Sequence, residues 1–338
     1  MFACLLTMIA LPISPTDSRI DYVGRFDRRT AGSVACQWPA SEVHLRVKGH
    51  TLQTEIDEQG ENRWEVVVDG SPKQVLAPAK KTDTYTIDLG EGAEHDVRLV
   101  KRTEAFVGTT KFLGFAAPGG QLIKAKPNAR QIEVVGDSIT CGYGNEGANQ
   151  NEHFTPATEN AYMSYASIAA RDLSADPVLI AWSGRKMWPD DTMPSIYDLV
   201  LPTDPTSTYE FRQPGPQAVV INLATNDFGK GNPAEKEWTG AYEDFIRRVW
   251  SHYPKAEIYM TMGSMMSDNY PAGQKALTTL RTYLQHMAGQ LHDPRVHVVE
   301  FPVQRMEDGI GADWHPNLKT DKIMGDLLAA AIKRDLHW

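Results

Sequence analysis

The sequence predicts an α/β protein, a parallel sheet flanked by helices, preceded by an antiparallel β-sandwich domain. Three observations carry this. From Ile20 to about Gly120, short apolar runs alternate with a period of two and no helical stripe interrupts them. After Arg130 the rhythm changes to strand, helix, strand. A length of 338 residues also exceeds what one core normally fills, so two domains are expected.

In the first region the alternating runs are Val43-Leu45-Val47, Trp64-Val66-Val68, Tyr85-Ile87-Leu89 and Val97-Leu99. Turn signals such as Asp69-Gly70 and Gly90-Glu91-Gly92 separate them. His44, His50 and His95 are scattered there and read as surface residues. Pro118-Gly119-Gly120 and the polar stretch Lys124 to Arg130 mark the break between a sandwich over residues 20–120 and a second domain over 130–338.

In the second region four stripes have the 3.6-residue period of helices. They are Ala161-Tyr165-Ile168-Ala169, Trp238-Tyr242-Phe245-Ile246-Val249, Leu277-Leu280-Leu284-Met287-Leu291 and Ile323-Leu327-Leu328-Ala331-Ile332. Between them lie near-continuous apolar runs at Ile132–Val135, Pro177–Trp182, Ala218–Leu223, Ile258–Met262 and Val296–Phe301. Strands apolar on both faces belong to a parallel sheet covered on both sides. In such sheets the site lies beyond the carboxyl ends of the strands.

The residues after each strand do look like chemistry. The first strand runs into Gly136-Asp137-Ser138, a turn that can present a hydroxyl as nucleophile. The second ends at Ser183-Gly184, where a backbone N–H can face a substrate oxygen, and the third at Asn226, an amide donor. Past the last strand come Asp313-Trp314-His315-Pro316, an imidazole with a nearby carboxylate. If that segment is extended, residues 313 and 315 point to the same side, so Asp313 would orient His315. A nucleophile, oxyanion donors and a base at one sheet edge form an acyl-transfer constellation.

Composition narrows the classes further. Hydrophobic and charged contents of 41% and 23% are those of an ordinary globular protein. A net charge of −9 argues against nucleic acid as partner, and no apolar run is long enough to span a bilayer. Cys4, Cys36 and Cys141 cannot all pair and are not spaced for zinc. Cys141 could be read as a reactive thiol, but its apolar neighbours favour a small buried side chain. Phe2 to Ile13 is apolar without a preceding basic residue, so residues 1–19 are either a shortened signal or a strand-like lead-in. No obligatory protein partner is evident.

The blocks G-D-S-I-T-C-G-Y-G, A-W-S-G, N-L-A-T-N-D-F and D-W-H-P, in that order, resemble the SGNH (GDSL-type) hydrolase superfamily and, more narrowly, the family 2 carbohydrate esterases. The resemblance runs from about Tyr22 to nearly the end of the chain. It implies a jelly-roll β-domain before an SGNH hydrolase domain. Ser138 would be the nucleophile, His315 the base and Asp313 its orienter. The N–H groups of Ser138 and Gly184 and the Asn226 amide would form the oxyanion hole. Trp314 would be one wall of a sugar cleft and Trp188 the opposing wall, although core packing suits Trp188 equally. Acetylated plant polysaccharide is the implied substrate, often at the sugar 6-position, with no metal or other cofactor, and a secreted or periplasmic location follows family habit. The sequence departs from the superfamily twice. Ala224 stands where Gly is usual, and only one residue separates Asp313 from His315. A lipase or thioesterase on longer acyl chains is an alternative, as is a catalytically silent carbohydrate-binding protein.

Overall fold

The computed structural model describes residues 11–338. The chain first forms ten strands: β1 (Asp21–Val23), β2 (Val34–Cys36), β3 (Glu42–Lys48), β4 (Thr51–Glu58), β5 (Trp64–Val68), β6 (Ser71–Leu76), β7 (Thr82–Asp88), β8 (His95–Lys101), β9 (Thr110–Ala116) and β10 (Gln121–Ile123). They make two antiparallel sheets, one in the order β2-β9-β4-β7 and the other β1-β3-β8-β5-β6, with β10 also paired to β3. Val43, Leu45, Val47, Trp64, Val66, Val97 and Leu99 of the second sheet meet Leu52, Ile56, Phe112 and Phe115 of the first in one buried cluster. The Trp64 ring lies edge-on to Phe112, their centroids 5.0 Å apart. Such aromatic contacts between facing sheets add to the burial of apolar area.

The other face of the larger sheet is not open to water. Ala40, Val67 and Val100 join the core of the second domain. The surface reading of His44 and His95 is corrected, since both are buried. His44 Nε2 lies 2.8 Å from an Asp96 carboxylate oxygen, and His95 Nδ1 lies 2.8 Å from one of Asp69. His44 lies on the face turned to the second domain, which period-two alternation cannot tell from a solvent-facing one, whereas His95 shares the sandwich side of β8 with Val97 and Leu99 and is buried there. Both histidines are structural groups, His44 bonded across to β8 and His95 to the turn after β5.

The chain continues through β11 (Arg130–Gly136), α1 (Ser138–Cys141), α2 (Tyr165–Asp172), β12 (Ala175–Ala181), β13 (Ala218–Asn222), α3 (Thr225–Phe228), α4 (Glu235–His252), β14 (Glu257–Met262), α5 (Ala276–Leu291), β15 (Val296–Glu300) and α6 (Leu318–Leu336). The five strands are parallel in the order β12-β11-β13-β14-β15. Stripe residues of α4 and α5 pack on one face and those of α2 and α6 on the other. This is the doubly wound arrangement that the helix–strand rhythm predicts. The strand order reverses at β11. There Gly136 lies level with Ala181 of β12 and with Asn222 of β13. The residues that follow these three strands therefore emerge on one rim.

Cys36 and Cys141 are buried and unpaired, and burial pushes the Cys141 thiol well up, in keeping with a packing role. Cys4 and most of the apolar stretch from Phe2 lie outside the described residues. The end of that stretch does engage the sandwich, since Ile13 exchanges backbone hydrogen bonds of 2.9 Å with Phe115. Among the described residues no helix is long and apolar enough to cross a membrane.

Candidate active site

At the end of β11 the chain has little room. A Cβ on Gly136 would lie 2.0 Å from Thr140 Oγ1, so only glycine lets α1 fold back against the strand. Asp137 caps α1, its carboxylate accepting from the Ile139 N–H at 3.1 Å. Gly142 takes the left-handed conformation, φ 72°, that ends the helix. Ser138 opens the helix with little exposure to solvent.

His315 arrives from the opposite end of the chain. Its Nε2 lies 2.9 Å from Ser138 Oγ, and its Nδ1 lies 3.1 Å from the Asp313 carbonyl and 3.3 Å from that of Ala312. Carbonyl oxygens only accept, so Nδ1 carries the proton and Nε2 offers its lone pair to the serine hydroxyl. This is the tautomer a general base requires. Burial holds the imidazole well below its usual range, at about 4. The ring of Tyr143 covers it, with centroids 4.2 Å apart.

The expectation for the Asp313 side chain is corrected. The 311–315 segment is not extended, because Asp313 and Trp314 both adopt left-handed backbone angles, φ 49° and 66°. That turn swings the carboxylate away from the imidazole and brings the Asp313 carbonyl beneath Nδ1. The carboxylate instead accepts from Tyr143 Oη at 3.0 Å, His153 Nδ1 at 2.8 Å and the Phe154 N–H at 2.9 Å. These bonds, that from His153 first, hold it below the ordinary carboxylate range. It therefore pins the loop over His315, and the Tyr143 ring stacks between that imidazole and Phe154. Tyr143, His153 and Phe154 were not read as site residues. Only the glycines flanking Tyr143 hinted at it.

Gly184 follows β12 in a turn closed by the Arg185 N–H on the Trp182 carbonyl, and its φ of 80° favours glycine. Asn226 stands in α3 just past β13. Its amide donates to the Arg185 carbonyl at 2.9 Å and makes a long contact of 3.4 Å to the Asp137 carboxylate. Asn226 is thus tied to the immediate neighbours of Gly184 and Ser138, while one N–H is only loosely engaged. Asp227 beside it is structural, accepting from the Met187 and Trp188 N–H groups and the Trp238 indole. Ala224, two residues before Asn226, has φ 140°, a region that suits glycine. The methyl group is accommodated under backbone strain.

Trp314 is 54% exposed beside His315, and its carbonyl accepts from the Gln304 amide at 2.7 Å. Trp188 is partly buried against the α4–α5 core. A cavity of about 540 Å³ lies elsewhere, lined by Tyr22, Arg28, Gln131, Tyr209 and Arg212 among others. It opens near the amino end of β11 and includes none of the rim residues.

Comparisons with known proteins fit this geometry. Residues 22–127 match the family model "Carbohydrate esterase 2 N-terminal", and residues 134–323 match "GDSL-like Lipase/Acylhydrolase family". The chain is 39% identical over 329 residues to "Cellulase/esterase CelE" of Acetivibrio thermocellus, covering 94% of this chain and 39% of that protein. It thus spans about two-fifths of that relative's length. It is 27% identical over 322 residues to an "Acetylxylan esterase / glucomannan deacetylase" of Cellvibrio japonicus, covering 89% of this chain and 86% of that one. Among solved structures it superposes, with a TM-score of 0.89 and 37% identity, on a family two carbohydrate esterase from Clostridium thermocellum in complex with cellohexaose. That match covers 94% of this chain and 99% of the other.

Proposed function

The chain belongs to carbohydrate esterase family 2, and we propose that it removes O-acetyl groups from plant polysaccharide through an acetyl-enzyme on Ser138. The observation that carries this reading is the 2.9 Å contact between Ser138 Oγ and His315 Nε2, with Nδ1 held by main-chain carbonyls. His315 takes the serine proton as Oγ attacks the acetyl carbon. The Ser138 and Gly184 N–H groups and the Asn226 amide receive the oxygen that becomes negative. As the intermediate collapses, His315 returns the proton to the departing sugar oxygen, leaving acetyl-Ser138. Water activated by the same imidazole then releases acetate.

The base is oriented by backbone rather than by a carboxylate, so it works as a dyad. Asp313 acts one step away, through Tyr143 and the 152–154 loop. Trp314, exposed beside the base, offers a flat ring on which a pyranose can stack, and Phe106 of the β-sandwich faces the same loop, 5.4 Å from Phe154. Acetylated xylan or glucomannan is the substrate class, by analogy with the names of the relatives, and the sugar 6-position is the favoured site. Such polymers do not cross membranes, which favours a secreted or periplasmic site of action. The test is acetate release from a chromogenic acetyl ester and from acetylated xylan and glucomannan, with the position lost read by NMR. Ser138→Ala is expected to remove at least about 10³-fold of the activity. Turnover unchanged in that variant would refute the assignment.

A further inference from the structure

A buried carboxyl pair lies where the two domains meet, and neither step of the reaction uses it. Glu104 follows β8 of the sandwich, and Glu159 belongs to the long connection after α1. Both are fully buried. The Glu104 carboxylate accepts from the Ser183 N–H at 2.7 Å with one oxygen and from the Ser183 hydroxyl with the other. Its own N–H donates to Glu159 at 3.0 Å, and the Lys101 ammonium donates to its carbonyl at 3.1 Å. Lys101 also donates to the Thr103 carbonyl at 2.6 Å, and Thr103 donates to Asn62 at 2.8 Å. The Glu104 main chain is thus held by Lys101 of its own domain and by Glu159 of the other, while its side chain grips Ser183 of the other.

What it grips is the residue before Gly184. We propose that Glu104 is a positioning residue through which the β-sandwich holds the Ser183–Gly184 turn, and so aims the Gly184 N–H at the reacting oxygen. This rests on the reading of Gly184 as an oxyanion donor. The match is chemical. Ser183 presents two donors, and a carboxylate is a two-pronged acceptor that fixes both at once. The turn has little other support on its outer side, since a Cβ built on Gly184 would meet nothing within 4 Å. With N–H and hydroxyl both anchored, the Ser183 backbone is set, and the direction of the next N–H follows from it.

The second carboxyl completes the arrangement. Ligand atoms of Glu104, Glu159 and Cys141 lie within 4.8 Å of one another, and both Glu104 oxygens are already committed to Ser183. Burial pushes both carboxyls up, and the neighbouring Glu104 carboxylate raises Glu159 further. Of the two, Glu159 is the one pushed further toward its neutral form, while both Glu104 oxygens accept from Ser183.

The experiment compares kcat, KM and affinity for a boronic acid in the full chain on a chromogenic acetyl ester. The boronate forms a tetrahedral adduct whose oxygen occupies the oxyanion hole. Glu104→Ala is expected to lower kcat about 10²-fold, as a displaced oxyanion donor does, with KM within about threefold. Boronate affinity should fall in parallel. Glu104→Gln can accept from the Ser183 N–H and donate to its hydroxyl, so it should recover kcat to within about fivefold. If Glu104→Ala does not fold, Glu104→Asp replaces it. Its carboxylate is drawn back by one bond, ~1.5 Å, and kcat and boronate affinity should each fall about tenfold. A kcat within threefold of the parent in the folded Ala or Asp variant overturns the proposal, as does a kcat loss with unchanged boronate affinity. Ser138→Ala, run alongside, separates the two ideas. If it stays active the parent reading has failed, whereas if it is inactive while the Glu104 variants are normal, only this inference has.

Discussion

Replacing Asp313 by Asn separates two mechanisms that look alike in sequence. In a serine triad the carboxylate fixes the histidine tautomer, and Asp→Asn lowers kcat about 10⁴-fold, or ~5.5 kcal/mol. Here the tautomer is fixed by the Asp313 and Ala312 carbonyls, which the substitution leaves in place. The carboxylate oxygen that accepts from Tyr143 Oη and the Phe154 N–H survives as the amide oxygen. The other becomes an NH₂ facing His153, whose side chain is 90% exposed. An exposed pair of this kind contributes about 0–1 kcal/mol, so Asp313→Asn should keep kcat/KM within about fivefold of the parent. Asp313→Ala loses three hydrogen bonds of about 0.5–1.5 kcal/mol each. Part of that loss reaches His315 through Tyr143, for a fall of about 10–100-fold. Steady-state kinetics on a chromogenic acetyl ester, with Tm recorded for each variant, is the assay. A loss of 10³-fold or more in a fully folded Asn variant would refute the backbone-oriented dyad.

Three further outcomes are expected. His315 must be neutral to act as base, and burial holds it at about 4, so kcat/KM should fall as pH drops through that region and not near 6.5. Asp137, next to Ser138, is pushed up to about 7 by burial. The low limb should therefore persist in Asp137→Asn, and a limb at 6.5 in that variant would contradict the assignment. Ala224→Gly should relieve strain at φ 140°, worth about 1–3 kcal/mol less ~0.5–1 kcal/mol for the freer unfolded chain. Tm should rise modestly with kcat nearly unchanged, and a lower Tm would count against strain there. Trp314→Ala should weaken use of acetylated oligosaccharide about tenfold or more while sparing a small chromogenic acetate. Equal losses on both would assign the ring to the catalytic loop instead of a sugar subsite.

The parallel sheet was legible because its strands are apolar on both faces and its helices carry clean stripes. The rim followed from topology, since residues just beyond β11, β12 and β13 must emerge together once those strands are in register. Within the sandwich, strands such as β6, with Ser71 to Val75 all exposed, carry no apolar alternation and left no signal. The role of Asp313 was misread for a local reason. Spacing gives side-chain direction only if the backbone is regular, and two left-handed residues in succession reverse it. Glu104 was invisible for the opposite reason. Its partner Ser183 is 79 residues away, and nothing in the sequence announces a buried carboxylate between domains.

The central claim is that Ser138 and His315 act as one unit. It is tested most directly by the kcat/KM values of Ser138→Ala, His315→Ala and the double variant on one acetyl ester. Each single change should cost about 10³-fold or more, and the double change should cost no more than the worse single, because either loss already removes the whole nucleophile. Losses that multiply in the double variant, or a Ser138→Ala enzyme that keeps a tenth of its activity, would contradict it.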